Sequence, residues 1–467
     1  MSPPNAVRAQ LDHPVIDADG HLIEFMPAVR DHIRDVGGPA LVDAFDASMT
    51  GAEQARELPE EARRALGMFK MTWWAFPTRN SLDRATGMLP KLFYERLDEL
   101  GIDFAVAYPT LGLMPMSIDQ EDLRRGLTRA INRSNAEMFA PYADRISPVA
   151  VIPMHDPSEA IEELEYCTGE LGLRATLLAG HVLRPLGEGL PRGARWLDTF
   201  GAESPYDYDP VWRKCVELGV APTFHSAGMG WGSRISQNSY VANHVGNFAA
   251  AGEAICRALF LDGVTRRFPE LRCAFLEGGV GWACSLFADL VGHWEKRGPV
   301  GLPHYDPVNL DRTLIESLFK SHGSERFKKH LDELEEGLRV LCEPQAAVDE
   351  FSAAGIERAE DIRDVFDRSF HFGCEADDPV NASAFDTARN PMGARLRAVF
   401  SSDIGHWDVP DMSGVLNEAW ELVDDGLIDR ADFRAFTFSN AVHLWGGGNS
   451  RFFEGTAIEE AAVAELG

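Results

Sequence analysis

Val15-Ile16-Asp17-Ala18-Asp19-Gly20-His21-Leu22-Ile23-Glu24, near the N-terminus, runs a short apolar strand straight into an acid-rich turn that ends in a histidine. Successive side chains alternate across an extended backbone, so Asp19 and His21, two residues apart, project to the same side. A carboxylate and an imidazole then stand together at the strand's C-terminal end, as a metal site requires. Alone, the segment reads equally well as an ordinary strand followed by a polar turn.

Three later strand-like runs end the same way. Val220-Ala221-Pro222-Thr223-Phe224-His225 delivers a histidine into the Gly-rich turn Ser226-Ala227-Gly228-Met229-Gly230. Leu271-Arg272-Cys273-Ala274-Phe275-Leu276-Glu277 delivers a glutamate into Gly278-Gly279. Leu396-Arg397-Ala398-Val399-Phe400-Ser401-Ser402-Asp403 delivers an aspartate into Ile404-Gly405-His406. In barrels of alternating strands and helices, catalytic groups gather at this end of the strands. One such ending is ordinary; four in one chain form a pattern.

Working outward, the order of elements is a strand, a long insertion, then repeated strand and helix. The insertion, about Met26 to Pro90, carries the aromatic group Phe69, Trp73, Trp74 and Phe76. Further strands are predicted at Phe104 to Tyr108, Ile146 to Pro153, Ala175 to Ala179, Val220 to His225 and Cys273 to Glu277. The last two are Ser369 to Phe372, ending near Glu375, and Arg397 to Ser402. Leu123, Leu127, Ile131 and Met138 mark the inner face of one helix. Asp156-Pro157 starts another, as N-cap and first turn, with the inner stripe Ile161, Leu164, Cys167 and Leu171. A charged helical excursion, roughly Asp311 to Asp364, separates the sixth and seventh strands, and a helical segment covers Val415 to Leu444. Eight strands with intervening helices predict an α/β fold, a (β/α)8 TIM barrel with helical insertions after strands 1 and 6. There is no G-x-G-x-x-G after the first strand and no P-loop, which argues against a nucleotide fold. No linker or low-complexity tract divides residues 1–467, so one elaborated domain is expected.

A chain of 467 residues, 45% hydrophobic, can bury a large core. Its seven cysteines are scattered, odd in number and without a C-x-x-C pair, which argues against a disulfide framework or zinc ribbon and suits a reducing cytoplasm. No apolar h-region opens the chain and no stretch approaches a membrane span, so a soluble cytoplasmic protein is expected. With 73 acidic and 44 basic residues, net charge −29, there is no basic surplus to neutralise phosphates. Nucleic acid and membrane are therefore not expected partners. A small-molecule substrate is, together with a second copy of the chain as a homodimer, or a different subunit in a hetero-oligomer.

The motifs together resemble the amidohydrolase-related family of metal-dependent TIM-barrel enzymes, in the branch that includes aminocarboxymuconate semialdehyde decarboxylase and aromatic acid decarboxylases. The similarity runs through Val15 to Glu24, Glu95 to Asp103, Val151-Ile152-Pro153, Pro222 to Gly228, Phe275 to Trp282, Ser401-Ser402-Asp403 and Ser439-Asn440-Ala441. The resemblance implies a metal held by two groups from the first strand, a histidine from the fifth and an aspartate from the eighth. By position these are Asp19, His21, His225 and Asp403. Two features depart from the family's pattern. Its first-strand pair is commonly His-x-His or Glu-x-His, where this chain has Asp19-x-His21, and its sixth-strand position, often a catalytic histidine, holds Glu277. The fourth strand also lacks the lysine that bridges two metals in other amidohydrolases, which favours a single metal, with Glu277 able to join a second.

Two imidazoles and two carboxylates balance a divalent cation. Zn²⁺ is the first expectation, and the oxygen share makes Mn²⁺ or Fe²⁺ more credible than in a histidine-dominated site. Such a cation lowers the pKa of a bound water toward ~7 and polarises a substrate oxygen. Asp403 could both ligate and accept a proton, Glu277 could act as base or orienting group, and His406 is a further catalytic candidate beside them. His181, His371 and Glu375 are expected at the same barrel end, more as core or loop residues than as ligands. Asp17 and Glu24 are expected to hydrogen-bond backbone or supporting groups. Trp73, Trp74, Phe76, Trp231 and Trp282 are read as packing, with those in loops one, five and six able to line an apolar pocket. The expected activity is a metal-dependent hydrolase or nonoxidative decarboxylase acting on a small carboxylated or cyclic compound. The alternatives are a nonheme iron or manganese oxygenase on the same barrel and a noncatalytic barrel subunit.

Overall fold

A computed structural model of the chain describes residues 5–70, 78–186, 195–201, 203–225, 234–339 and 349–467. Among these residues ten strands are formed: β1 (Ile16–Leu22), β2 (Phe104–Pro109), β3 (Ile146–Ile152), β4 (Ala175–Ala179), β5 (Val182–Pro185), β6 (Arg195–Asp198), β7 (Pro222–His225), β8 (Cys273–Phe275), β9 (Phe370–Glu375) and β10 (Arg397–Ser401). Eight of them make one sheet in the order β1-β2-β3-β4-β7-β8-β9-β10, and each pair of neighbours along it is parallel. Every residue of β1, β2, β4, β7 and β8 is buried. That is why these strands read as near-continuous apolar runs: one face fills the barrel and the other is covered by helices. The short antiparallel pair β5 and β6 follows β4 and had no counterpart in the pattern read from the sequence.

The sheet closes on itself at a seam between its first and last strands. Asp403 N donates to Asp19 O (3.1 Å) and His21 N donates to Ile404 O (2.9 Å). The result is a (β/α)8 barrel. Asp17 lies beneath the seam and accepts hydrogen bonds from Ser402 N (3.0 Å), Ser402 Oγ (2.6 Å) and Asp19 N (3.3 Å). Pairing of β1 with β2 steps from Asp17↔Ala105 to Gly20↔Ala107, so three residues of β1 advance against two of β2. This is a bulge of one residue, and it falls on Ala18-Asp19, where the strand must present a side chain to the site. Gly20 completes it: a Cβ there would stand 2.5 Å from Asp17 Oδ2.

Between β1 and β2 the described residues form four helices, Met26–Glu57, Glu60–Leu66, Ser81–Met88 and Pro90–Leu100, where a regular barrel has one. Between β8 and β9 it forms Gly281–Arg297, then the excursion Arg312–His322, Glu325–Lys328 and Leu334–Arg339, then Glu350–Ala353 and Ala359–Ser369. The three excursion helices bury no residue. Pro157–Gly169 begins as read, with Asp156 accepting from Glu159 N (3.0 Å). Trp73, Trp74, Phe76, Trp231, the turn Ser226 to Gly230 and Cys342 lie outside the described residues. The six described cysteines are free thiols.

One expectation is corrected here. His371 was placed at the same barrel end as the other strand endings, but register pairs it with Arg397 and Ala274, at the strands' beginnings. It lies buried at the opposite end, and burial, with Arg397 and Arg272 nearby, holds its pKa well below the usual value. Glu375, paired with Ser401, is the residue of β9 at the site's end.

Candidate metal centre and active site

The strand ends converge as the alternation of β1 requires. Asp19 and His21 leave β1 on the inside of the barrel, His225 is the last residue of β7, and Glu277 and Asp403 follow the ends of β8 and β10. Glu277 (φ 59°) and Asp403 (φ 48°) both adopt the left-handed region, which non-glycine residues rarely occupy. Each such residue costs ~1–3 kcal/mol and persists only where its surroundings fix it. Here the flanking backbone is pinned by Leu276 N to Phe224 O (3.0 Å), Gly279 N to Gly373 O (3.0 Å) and the seam bond from Asp403 N (3.1 Å).

His21 sits at the middle. Its Nε2 is 3.3 Å from Asp403 Oδ1 and 3.5 Å from Asp19 Oδ1. The His225 ring lies edge-on to it at 5.3 Å, and the His406 ring stacks on it at 3.8 Å. His225 Nε2 is 2.5 Å from Glu277 Oε2, and His406 Nδ1 is 2.7 Å from Asp403 Oδ1. Two sets offer ligand atoms all within 4.8 Å of one another: Asp19, His21 and His225, and His21, Asp403 and His406. The structure thus brings together all six residues singled out from the sequence.

Protein atoms alone do not satisfy this cluster. Asp19 Oδ1 and both ring nitrogens of His21 are buried without a hydrogen-bond partner. Burial drives the Asp19 and Asp403 carboxyls well above the usual carboxylate range, Glu277 adding to the effect at both and Asp408 at Asp403; His225 opposes it at Asp19. Burial likewise drives the His21 and His406 imidazoles well below their usual value, reinforced by neighbouring histidines. Acids and bases are all pushed toward neutrality, which is the penalty for burying charge without a counter-charge. A divalent cation among these oxygens and nitrogens removes that penalty, and the donor set suits one. The residues fit a metal ion.

The family model described as Amidohydrolase matches residues 16–447, from the first strand to beyond the last. The chain belongs to the amidohydrolase family. It is an enzyme of that superfamily. An amidohydrolase from Mycobacterium avium subsp. paratuberculosis K-10 superposes with a TM-score of 0.52 at 16% identity, covering 93% of this chain and 98% of that one. A dihydroxybenzoic acid decarboxylase from Polaromonas sp. JS666, with bound manganese and the inhibitor 2-nitroresorcinol, gives 0.49 at 15% identity, covering 95% and 99%. A 2,6-dihydroxybenzoate decarboxylase from Rhizobium gives 0.48 at 16%, covering 93% and 98%. At these identities the likeness is one of fold.

In this amidohydrolase further residues surround the cluster, none of them but Glu375 singled out from the sequence. Thr110, after β2, accepts or donates at 3.1 Å from His406 Nε2 and donates to Leu22 O (2.6 Å). Tyr108 donates to Thr223 Oγ1 (3.0 Å), its ring 6.3 Å from His21. Phe248 lies against His225 (5.3 Å), His244 against Phe248 (5.8 Å), and Trp407 against both His244 (5.8 Å) and Tyr240 (6.2 Å). These four form an aromatic flank running from the metal-capable cluster to Trp407, 42% exposed at the surface. Glu375 faces the cluster, and burial together with Glu277 and Asp408 pushes its carboxyl up to about 8.

The supporting residues sit as their sequence positions suggest. Glu24 accepts from Leu111 N (2.9 Å) and Gly112 N (2.6 Å), tying the end of β1 to the loop after β2. Trp282 packs on Phe275 and Phe372. His181, just past β4, is buried, and burial brings its pKa down to about 4; it belongs to neither ligand set. No helix among the described residues is long and apolar enough to cross a membrane.

Proposed function

We propose that this amidohydrolase is a metal-dependent hydrolase or nonoxidative decarboxylase of a small carboxylated or cyclic compound. The observation that carries the reading is the convergence of Asp19, His21 and His225, and of His21, Asp403 and His406, around Asp19 Oδ1 and the two His21 ring nitrogens, buried atoms that no protein hydrogen bond satisfies. These four would hold the cation, zinc first, with manganese or iron favoured by the carboxylate share. When bound, the cation supplies electrophilic polarisation of a substrate oxygen. Glu277 Oε2 takes a proton from an attacking water in a hydrolysis, or returns one to the carbon that loses CO₂ in a decarboxylation. Asp403 and His406, 2.7 Å apart, stand together beside the reacting group. The aromatic flank of Phe248, His244, Tyr240 and Trp407 offers planar surface to a ring.

Elemental analysis of protein purified without chelators should find one divalent cation per chain, absent from the Asp19→Ala/His225→Ala double variant. Metal content unchanged by that pair of substitutions refutes the ligand assignment. The loaded enzyme, assayed without oxygen on small aromatic carboxylates, lactones and cyclic amides, separates the two reactions by CO₂ release or its lack.

A second reading has one observation in its favour. Asp19, His21 and His225 form a set of two histidines and one carboxylate, the arrangement that binds iron in nonheme oxygenases. Oxygen uptake by the iron-loaded protein would establish it; turnover by the zinc-loaded protein in the absence of oxygen would exclude it.

A further inference from the structure

We infer that His406 donates its Nδ1 to the cation, and that Thr110 is the positioning residue that makes it able to do so. The inference rests on the proposed cation reading and adds to it a fifth donor and the device that orients it.

Thr110 Oγ1 stands 2.6 Å from Leu22 O and 3.1 Å from His406 Nε2. A carbonyl oxygen has no proton, so the single hydroxyl proton of Thr110 goes to Leu22 O. The lone pairs of Oγ1 then face Nε2, and Nε2 must carry the ring proton. The other tautomer would set two lone pairs against each other at 3.1 Å. Assigned from the network in this way, neutral His406 has its basic nitrogen at Nδ1. That nitrogen is 2.7 Å from Asp403 Oδ1, and the two atoms are reconciled by a cation that both face. Together with His21 they form the second ligand-capable set. Gly405 (φ 97°) makes the approach possible, since a Cβ there would stand 2.7 Å from His21 O. A hydrogen bond from a ligand histidine's far nitrogen to a neighbouring residue is the usual means of fixing its tautomer and ring angle. A third imidazole also moves preference from manganese toward zinc.

Zinc affinity is measured by competition with a chromophoric chelator in wild type, His406→Ala, Thr110→Val and Thr110→Ser. His406→Ala and Thr110→Val should weaken zinc binding ~10–100-fold, the effect expected on losing a ligand or its supporting hydrogen bond. Thr110→Ser, which keeps the hydroxyl, should stay near wild type. Two-bond proton–nitrogen correlation spectra of zinc-loaded, ¹⁵N-histidine-labelled wild type should show His406 protonated at Nε2 and metal-shifted at Nδ1, a readout that does not depend on any variant folding. A proton on Nδ1 in the loaded protein, or His406→Ala binding zinc as tightly as wild type, overturns the inference while leaving the four-residue site standing. Wild type that binds no zinc or other divalent cation removes both.

Discussion

His225 Nε2 and Glu277 Oε2 stand 2.5 Å apart on the neighbouring strands β7 and β8, each side chain 2% exposed. The contact sets a carboxylate against a residue that is also a member of the first ligand set. Glu277 is thereby held within reach of whatever the cation binds. Replacing Glu277 by Gln keeps the shape and removes the charge. Turnover should fall ~10²-fold or more, the scale of a positioned acid–base group, with cation content unchanged. Turnover within a few-fold of wild type at full metal content would assign Glu277 a structural role.

Chelation should destabilise the protein in a way that one substitution reverses. With the cation removed, the buried carboxyls of Asp19 and Asp403 lie near Glu277 and Glu375 with no cation among them. Thermal unfolding at pH 7 should show a lower Tm after chelator treatment, since a ligand at 100 times its Kd contributes ~2.7 kcal/mol. Metal-free Asp19→Asn should unfold at a higher temperature than metal-free wild type. A lower Tm for that variant would mean that Asp19 is compensated by the protein itself.

Gly20→Ala tests the seam. The new methyl would stand 2.5 Å from Asp17 Oδ2, an oxygen that the Ser402 hydroxyl holds at 2.6 Å. The carboxyl is pinned and cannot swing away without losing its bonds, so the change should cost ~1–3 kcal/mol as overpacking does. Denaturant unfolding reads this directly. A cost under ~0.5 kcal/mol, the range of ordinary surface changes, would show that the seam yields freely.

His155 gives a pH signature away from the metal cluster. Burial, with Arg124 and Arg184 nearby, brings its pKa down to about 4 from 6.5. The unfolded chain binds its proton at a higher pH than the native one does. Its contribution is therefore fully present above 6.5 and lost as pH falls toward 4. At ~1.4 kcal/mol per unit the loss is roughly 2–4 kcal/mol across that window. His155→Gln should flatten the stability difference between pH 7 and pH 5 relative to wild type; an identical slope in both proteins would place the ionisation elsewhere.

Much of this was legible before any coordinates. The eight barrel strands are buried on both faces, so each appears as an apolar run, and a polar residue followed by glycine marks where each catalytic strand end emerges. Period-two alternation alone put Asp19 and His21 on one side. The same rule, applied to β9, points to Glu375, because the strand continues through Gly373 and Cys374. His371, four residues earlier in the same strand, lies at its opposite end. The bulge at Ala18-Asp19 left no mark, since it arises from a register between strands and not within one. Thr110 was invisible for a related reason: its partner His406 is 296 residues away, and nothing local distinguishes a threonine that sets a tautomer from one that ends a strand.

The seam has a consequence for how the enzyme comes into being. Asp17 and Ser402, the pair that fastens it, are 385 residues apart. The second ligand set needs both ends of the chain, with His21 on β1 and Asp403 and His406 after β10, whereas the first is complete by His225. A ribosome-bound chain that has not yet emerged through His406 has no second ligand set, whatever helices it has already folded. The part of the site that contains Asp403 and His406 is therefore assembled late in biogenesis, only once both ends of the polypeptide have met.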